Sequence, residues 1–340
     1  MSKWIGTSNH GFSPYGMDEL RKLFPKIQFK QIIPGEVYQF EVEEENDETL
    51  GKLAHAELIF VRHIQPIDRQ LSISGDAETD AGNIKEMISY IESSVAGKQI
   101  AVHIRTSTKH QLSISKQQLK EVFDTALTEV GATVVVQQPQ LIVAVFAHED
   151  QLLIGFATPE EMGSDWPGGA IRFQREAEQI SRAKFKLLEA EKVFGLDYSQ
   201  YKSAIDVGAA PGGWTSLLLE RGLKVTAIDP AAMDERIVKH PGLTHLRMNA
   251  SAVKLPKASH DLLVCDMSWS PLEMSKLILQ LKAALKSHGF AIITVKLMHK
   301  KALQSIREVK DRLSSAFTIL AAKQLFHNRE EITLFLQKKD

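Results

Sequence analysis

The chain of 340 residues has a single cysteine, Cys265. An internal disulfide is therefore excluded, and the composition argues against a cysteine-based zinc site. A reducing cytoplasm is the expected compartment, and no metal site is expected. Long apolar runs are also missing. None approaches the roughly 20 residues a membrane span needs, and residues 1–12 lack the charged-then-apolar pattern of an export signal, so no membrane partner is expected. Charge of one sign is not in excess either: 41 Lys and Arg face 42 Asp and Glu, a net charge of −1. That total weighs against a uniformly basic nucleic-acid binder but not against one whose charge is segregated. Glu43, Glu44, Glu45, Asp47 and Glu48 form such a segregated run. It is expected to be a solvated loop, leaving the rest of the chain more basic than the total.

What is present suits two or three domains. Residues 1–80 read as a small α+β unit: a helix at 17–24, strands at 28–33 and 36–42 around Pro34-Gly35, and a strand at 57–63. Residues 81–160 read as a second unit. Helices are expected at 83–94 and 115–130, the latter capped by Ser115, with strands at 99–105, 133–136, 140–146 and 151–156. Residues 161–174, rich in Gly, Pro and charge, read as a linker. From 175 to 340 strands alternate with helices. Strands are expected at 204–208, 224–229, 244–249, 261–266 and 290–296. Helices fall at 181–193, 213–221, 272–285 and 301–313, with a short one after Asp229. This rhythm predicts an α/β, Rossmann-like sheet covered on both faces. The last two strands, 317–324 and 331–337, are too close for anything but a hairpin, so the final strand is expected to run antiparallel.

The sharpest local signal is Asp206-Val207-Gly208-Ala209-Ala210-Pro211-Gly212-Gly213-Trp214, between a strand and a helix. Ligands of open α/β sheets bind beyond the carboxyl ends of the strands, and glycines there admit close backbone approach. This is not the GxGxxG of dinucleotide enzymes. Pro211 removes an N–H that a pyrophosphate would use, which favours a ligand without phosphates such as S-adenosylmethionine. Asp229, ending the next strand, suits a ribose diol; Asn249, ending the third, suits an adenine edge.

Four ionisable residues converge on that same edge: Lys186 on the preceding helix, Asp266 and Lys296 at strand ends, and Glu331 at the start of the antiparallel strand. Each alone has an ordinary structural use. Together they suit deprotonation of a weak nucleophile such as a hydroxyl. Lysine has a reference pKa of about 10.4, and a second lysine nearby disfavours its charged form. Lys296 is thus the expected base, Asp266 and Lys186 its orienting and tuning partners, and Glu331 a positioning group.

The stretches Ser181-Arg182-Ala183-Lys184-Phe185-Lys186-Leu187, Asp206 to Trp214, Cys265-Asp266-Met267, Lys296 and Arg329-Glu330-Glu331 resemble the FtsJ-like (RrmJ) ribose 2′-O-methyltransferases. Within that family the chain is most similar to the RlmM-type branch. Val295-Lys296-Leu297 with Lys300-Lys301, residues 324–331 and the α+β N-terminal half carry that likeness. The resemblance implies S-adenosylmethionine as cofactor and a 2′-hydroxyl of RNA as substrate, large-subunit (23S) ribosomal RNA in this branch. It implies a Lys-Asp-Lys-Glu tetrad at Lys186, Asp266, Lys296 and Glu331, with Glu330 a competitor for the last place. It further implies cofactor contacts at Ser181, the Ala210, Pro211, Gly212 and Gly213 turn, Asp229, Asn249 and Asp266. A ferredoxin-like unit and a THUMP RNA-binding domain would precede the catalytic half. Ala210 stands where the branch has Cys, and Asn249 where the family has Asp. Residues 267–271, Met-Ser-Trp-Ser-Pro, form a different loop beside the tetrad, and it bears on the target nucleotide.

Arg172, Arg175, Arg182, Lys184, His299, Lys300, Lys301 and Lys323 are candidates for a basic rim that attracts phosphate. Trp214 and Trp269 are candidates for stacking on a base, Trp214 being better suited to packing beneath the turn. Two other functions remain open. A methyltransferase of small molecules or proteins has no use for an RNA-binding half. A non-catalytic RNA-binding or assembly factor has no use for two lysines facing two carboxylates.

Overall fold

The computed structural model describes residues 1–174, 179–298 and 301–340. The chain divides into two compact units, Met1–Ile171 and Arg172–Asp340.

The first unit opens with β1 (Ser2–Thr7), α1 (Ser13–Leu23), β2 (Gln28–Ile33), β3 (Val37–Val42), α2 (Asn46–Ala54) and β4 (His63–Pro66). The strands form an antiparallel sheet of order β2-β3-β1-β4. Alternation along β1 and β3 turns Trp4 and Phe40 to one face, paired in register, where they pack with Leu20 and Phe24. Two expectations fail here. The acidic run is a loop only at Glu43, Glu44 and Glu45; Asp47 and Glu48 fall in the first turn of α2, where the helix dipole favours acids. Lys26 and Lys52 pair with Glu43 and Glu44. Residues 57–62 are not a strand. The buried Glu19 carboxylate accepts the Ile59, Phe60 and Val61 N–H groups that a strand would give to a neighbour.

The same unit continues with β5 (Arg69–Ser72), α3 (Ala77–Tyr90), α4 (Glu92–Val95), β6 (Gln99–Thr106), α5 (Lys116–Glu129), β7 (Thr133–Val134), β8 (Leu141–His148) and β9 (Gln151–Ala157). These strands form a second sheet, β5-β9-β8-β6-β7. Ser115 caps α5 through a capping box with Gln118. Ile84, Ile88, Phe123 and Leu127 place α3 and α5 on one face of that sheet. α3 begins earlier than expected because Asp76 accepts the Thr79 N–H and starts the helix there. The stretch expected as a linker is packed as far as Ile171. Met162 is buried with Ile142, Ala144 and Ala157, and its carbonyl accepts the Ile64 N–H.

The second unit contains α6 (Lys184–Val193), β10 (Ser203–Val207), α7 (Gly213–Glu220), β11 (Lys224–Ile228), β12 (Leu243–Leu246), β13 (His260–Cys265), α8 (Pro271–Leu281), β14 (Leu285–Lys296), α9 (Ala302–Leu313), β15 (Phe317–Lys323) and β16 (Glu331–Lys338). Its sheet has the order β12-β11-β10-β13-β14-β16-β15. The first five strands are parallel, and β16 is antiparallel to both its neighbours. Unbroken buried runs such as Leu262, Leu263, Val264 and Cys265 are what a sheet covered on both faces requires. Three boundaries differ from expectation. Turns at 235–239 replace the short helix after Asp229. β12 stops at Leu246, so Asn249 lies beyond the strand. β14 starts at Leu285, where a helix tail was expected.

Candidate functional site

The carboxyl ends of β10, β11, β13 and β14 define one edge of the sheet, and the antiparallel run of β16 brings its first residue to that edge. Glu331 lies directly opposite Lys296 in the β14–β16 register. β10 leads into the glycine turn. Gly208 has φ 76°, and a Cβ there would fall 2.5 Å from Met267 Cγ. Gly212 starts α7 with φ 119°, and a Cβ there would fall 2.3 Å from Ile237 Cδ1. Both positions therefore require glycine.

Lys186 is the hub. Its ammonium donates to Asp266 Oδ1 at 3.0 Å and Oδ2 at 3.2 Å, and lies 2.6 Å from Glu331 Oε1. Burial works against its charge, but Asp266 and Glu331 together outweigh burial and hold its pKa above the ordinary lysine range. Thr294 Oγ1 donates to Asp266 Oδ1 at 2.8 Å. Lys296 lies two residues further along β14, on the same face of the strand as Thr294, and is exposed. The structure therefore gathers Lys186, Asp266 and Glu331 in contact and sets Lys296 beside them. Glu330 is exposed, and its carbonyl accepts the Leu297 N–H at 2.7 Å.

The expected cofactor residues divide into two groups. Asp229 is half-buried, its carboxylate accepting from Ala210 N–H at 3.1 Å and Ala231 N–H at 2.8 Å. Asn249 is exposed, and Ser181 is half-buried at the turn before α6. Asp206, Gly213 and Trp214 instead shape the turn from beneath. Asp206 is enclosed and accepts from Thr215 Oγ1; burial pushes its carboxyl up to about 7. A Cβ on Gly213 would meet Ser181 Cβ at 3.0 Å. Trp214 is buried and donates from Nε1 to the Ala183 carbonyl at 2.8 Å, so its side chain packs beneath the turn, the use that the sequence favoured over base stacking.

The basic rim is only partly present. Arg172, Arg182 and Lys301 are exposed and Lys323 is half-buried. Lys184 is buried and paired with Glu220 at 2.8 Å, so it does not belong to the rim. Arg175, His299 and Lys300 lie outside the described residues. Among the described residues no His, Cys, Asp and Glu cluster could hold a metal, and no helix is long and apolar enough to cross a membrane.

Two residues of this site escaped sequence reasoning. Thr294 anchors Asp266. Glu189, one turn after Lys186 on α6, is 2% exposed, and its carboxylate accepts the Phe326 and His327 N–H groups at 2.6 and 2.8 Å. α6 thus holds both the Glu331 carboxylate and the loop that leads to it. A charged residue one turn from Lys186 and next to apolar Leu187, Leu188 and Ala190 was the available signal for Glu189.

Residues 179–326 match the FtsJ-like methyltransferase family. A ribosomal RNA large subunit methyltransferase M from Laribacter hongkongensis is 34% identical over 206 residues, 57% of this chain and 57% of its own length. Its namesake from Halorhodospira halophila is 33% identical over 216 residues, 63% of this chain and 62% of its own length. The chain thus matches less than two thirds of the length of these relatives. Among solved structures, TrmN from Thermus thermophilus aligns over 99% of this chain and 100% of its own with 14% identity and a TM-score of 0.41.

Proposed function

We propose that the chain is an S-adenosylmethionine-dependent RNA ribose 2′-O-methyltransferase of the cytoplasm, acting on large-subunit ribosomal RNA with Lys296 as general base. The carrying observation is the Lys186 ammonium joined to Asp266 and Glu331 beside the exposed Lys296. With its pKa raised, Lys186 stays charged, neutralises part of the two carboxylates and holds them still. The amine of Lys296, in its neutral form, would take the proton from a hydroxyl. Asp266, fixed by Thr294, orients the amine, and Glu331 positions it from across the strand pair.

The donor set at the strand ends fits the cofactor. Each Asp229 oxygen takes one backbone N–H and keeps a lone pair for a ribose hydroxyl. Asn249 offers an amide to an adenine edge, and Ser181 and the 208–212 backbone offer polar groups without a phosphate-binding array. When bound, S-adenosylmethionine supplies a methyl group activated on a sulfonium.

The β-α-β-β-α-β order of residues 1–66 supports a ferredoxin-like unit. Residues 69–157, with their own five-stranded sheet, support a THUMP-like RNA-binding unit.

The test is methyl transfer from labelled S-adenosylmethionine to unmodified large-subunit ribosomal RNA, with nucleoside mass spectrometry and Lys296→Ala alongside. A 2′-O-methylated nucleoside made by the native chain and lost in the variant is expected. Equal turnover by a folded Lys296→Ala would overturn the base assignment.

A further inference from the structure

The 166–169 turn of the N-terminal unit covers a group of arginines and histidines that methyl transfer does not use. Arg62, 8% exposed, donates from Nε to the Gly168 carbonyl at 3.0 Å and from Nη1 to Asn9 Oδ1; its Nη2 lies 3.8 Å from Glu36. Arg105, partly exposed, donates from Nη1 to Thr7 Oγ1 at 3.0 Å and lies 5.1 Å above the Phe146 ring. The same two residues touch both arginines. The Thr7 carbonyl accepts the Arg62 N–H at 2.7 Å, and a Cβ on Gly168 would fall 2.6 Å from Arg105 Cζ. Gly168 and Gly169 both have positive φ, and only their bare backbones leave room for the side chains.

Arg105 and the two histidines have few partners among the described residues. A guanidinium carries five N–H donors, and among the described residues Arg105 hydrogen-bonds through one nitrogen, to Thr7. His63 is 2% exposed, and neither of its ring nitrogens has a partner; His103 Nδ1, on a ring 7% exposed, has none. His63 shares the Gly169 contact with Arg62: a Cβ on Gly169 would fall 2.9 Å from Arg62 Cγ and 3.2 Å from His63 Cβ. Burial first, and then Arg105, His103 and Arg62, keep its ring neutral. Buried ring nitrogens are normally partnered, and the acceptor that suits a guanidinium fork beside a second cation is a multivalent oxyanion.

We propose that Arg105, with His63 beside it, forms an oxyanion site in the N-terminal unit that takes one phosphate group, either free or in an RNA backbone. The site stands apart from the methyl-transfer reading and can hold or fail without it.

Thermal unfolding of the full chain in inorganic phosphate, against chloride of equal ionic strength, tests the proposal with Arg105→Gln and Arg105→Lys alongside. The native chain should show a saturable rise in Tm with phosphate. Half-saturation should move up about tenfold or more in Arg105→Gln, the loss of a charge-assisted pair. Arg105→Lys, which keeps the charge and loses the fork, should fall between. No rise beyond chloride, or equal half-saturation in all three, overturns the site. Should Arg105→Gln not fold, equal half-saturation in the native chain and Arg105→Lys does so. Competition by a single-stranded oligoribonucleotide would identify the occupant as an RNA phosphate, and lack of competition as free phosphate.

Discussion

The two units differ in how fully their buried titratable groups are partnered. In the C-terminal unit the buried or half-buried acids each have polar partners: Glu189 takes two backbone N–H groups, Asp206 takes Thr215, Asp266 takes Lys186 and Thr294, and Glu331 takes Lys186. In the N-terminal unit the buried Glu19 and Asp80 carboxylates are partnered as well, but the buried His63 and His103 have ring nitrogens with no partner among the described residues. A satisfied network fixes a geometry, which is what a catalytic constellation needs. An unsatisfied one is a destabilisation that a ligand can remove.

The largest effect should break this comparison on the catalytic side. Lys296 is exposed, so Lys296→Ala should leave Tm nearly unchanged while turnover falls by roughly 10²- to 10⁴-fold, the range of a lost general base. Lys186→Ala should differ. It leaves two carboxylates facing each other without their cation, so both turnover and stability should fall.

Acid should sharpen the contrast next. Burial, aided by Lys120 and Arg105 against the pull of Asp165, lowers His103 to about 4, and His63 is also held well below the usual histidine value. The unfolded chain takes up these protons near its own pKa of about 6.5 and the folded chain does not. Stability of the N-terminal unit should therefore fall as pH drops from about 6.5 toward 4, by about 3 kcal/mol from His103, with His63 acting in the same direction. Hydrogen-exchange protection of β4 and β6 between pH 7 and 5 measures it. Unchanged protection would mean that the histidines are partnered in solution.

Asp206 should behave with the opposite sign. Burial raises its carboxyl to about 7, so the folded chain keeps a proton that the unfolded chain releases near pH 4. Its contribution is best at low pH and is lost as pH rises toward 7. Asp206→Asn should thus gain stability relative to the native chain on going from pH 5 to 7, in unfolding titrations at both values. Parallel curves would show that Asp206 ionises normally.

The sequence was legible where one physical rule decided the outcome. Alternating strands and helices imply a covered sheet, and the short 325–330 connection implies a hairpin, so Glu331 could be placed at the same sheet edge as Lys296; its position directly opposite Lys296 needed the strand order. The Ser115 cap was legible for the same reason. Other features depended on distant partners. Glu19 draws 59–61 away from strand pairing, and Trp214 is committed to the Ala183 carbonyl. Asp47 and Glu48 of the acidic run are helical where a loop was expected because a first helical turn and a solvated loop favour the same residues. Glu189 was missed because a buried carboxylate on a helix has no signature until its acceptor role is seen.

Glu189 also gives the finest test of the idea that satisfied networks fix chemistry. In Glu189→Gln one oxygen can still accept, but the amide NH₂ would face a backbone N–H, and one of the Phe326 and His327 donors would lose its partner. The 325–330 loop would sit less firmly, and Glu331 with it. Turnover should fall about tenfold, roughly 1.4 kcal/mol of transition-state stabilisation. Cofactor Kd should stay unchanged, because Asp229 and the glycine turn belong to β10 and β11, across β13 and β14 from β16. Parallel losses in both quantities would mean that the variant disturbs the whole sheet edge. Unchanged turnover would mean that Asn328, which accepts from Leu325 N–H and Thr333 Oγ1, holds the loop without help from α6.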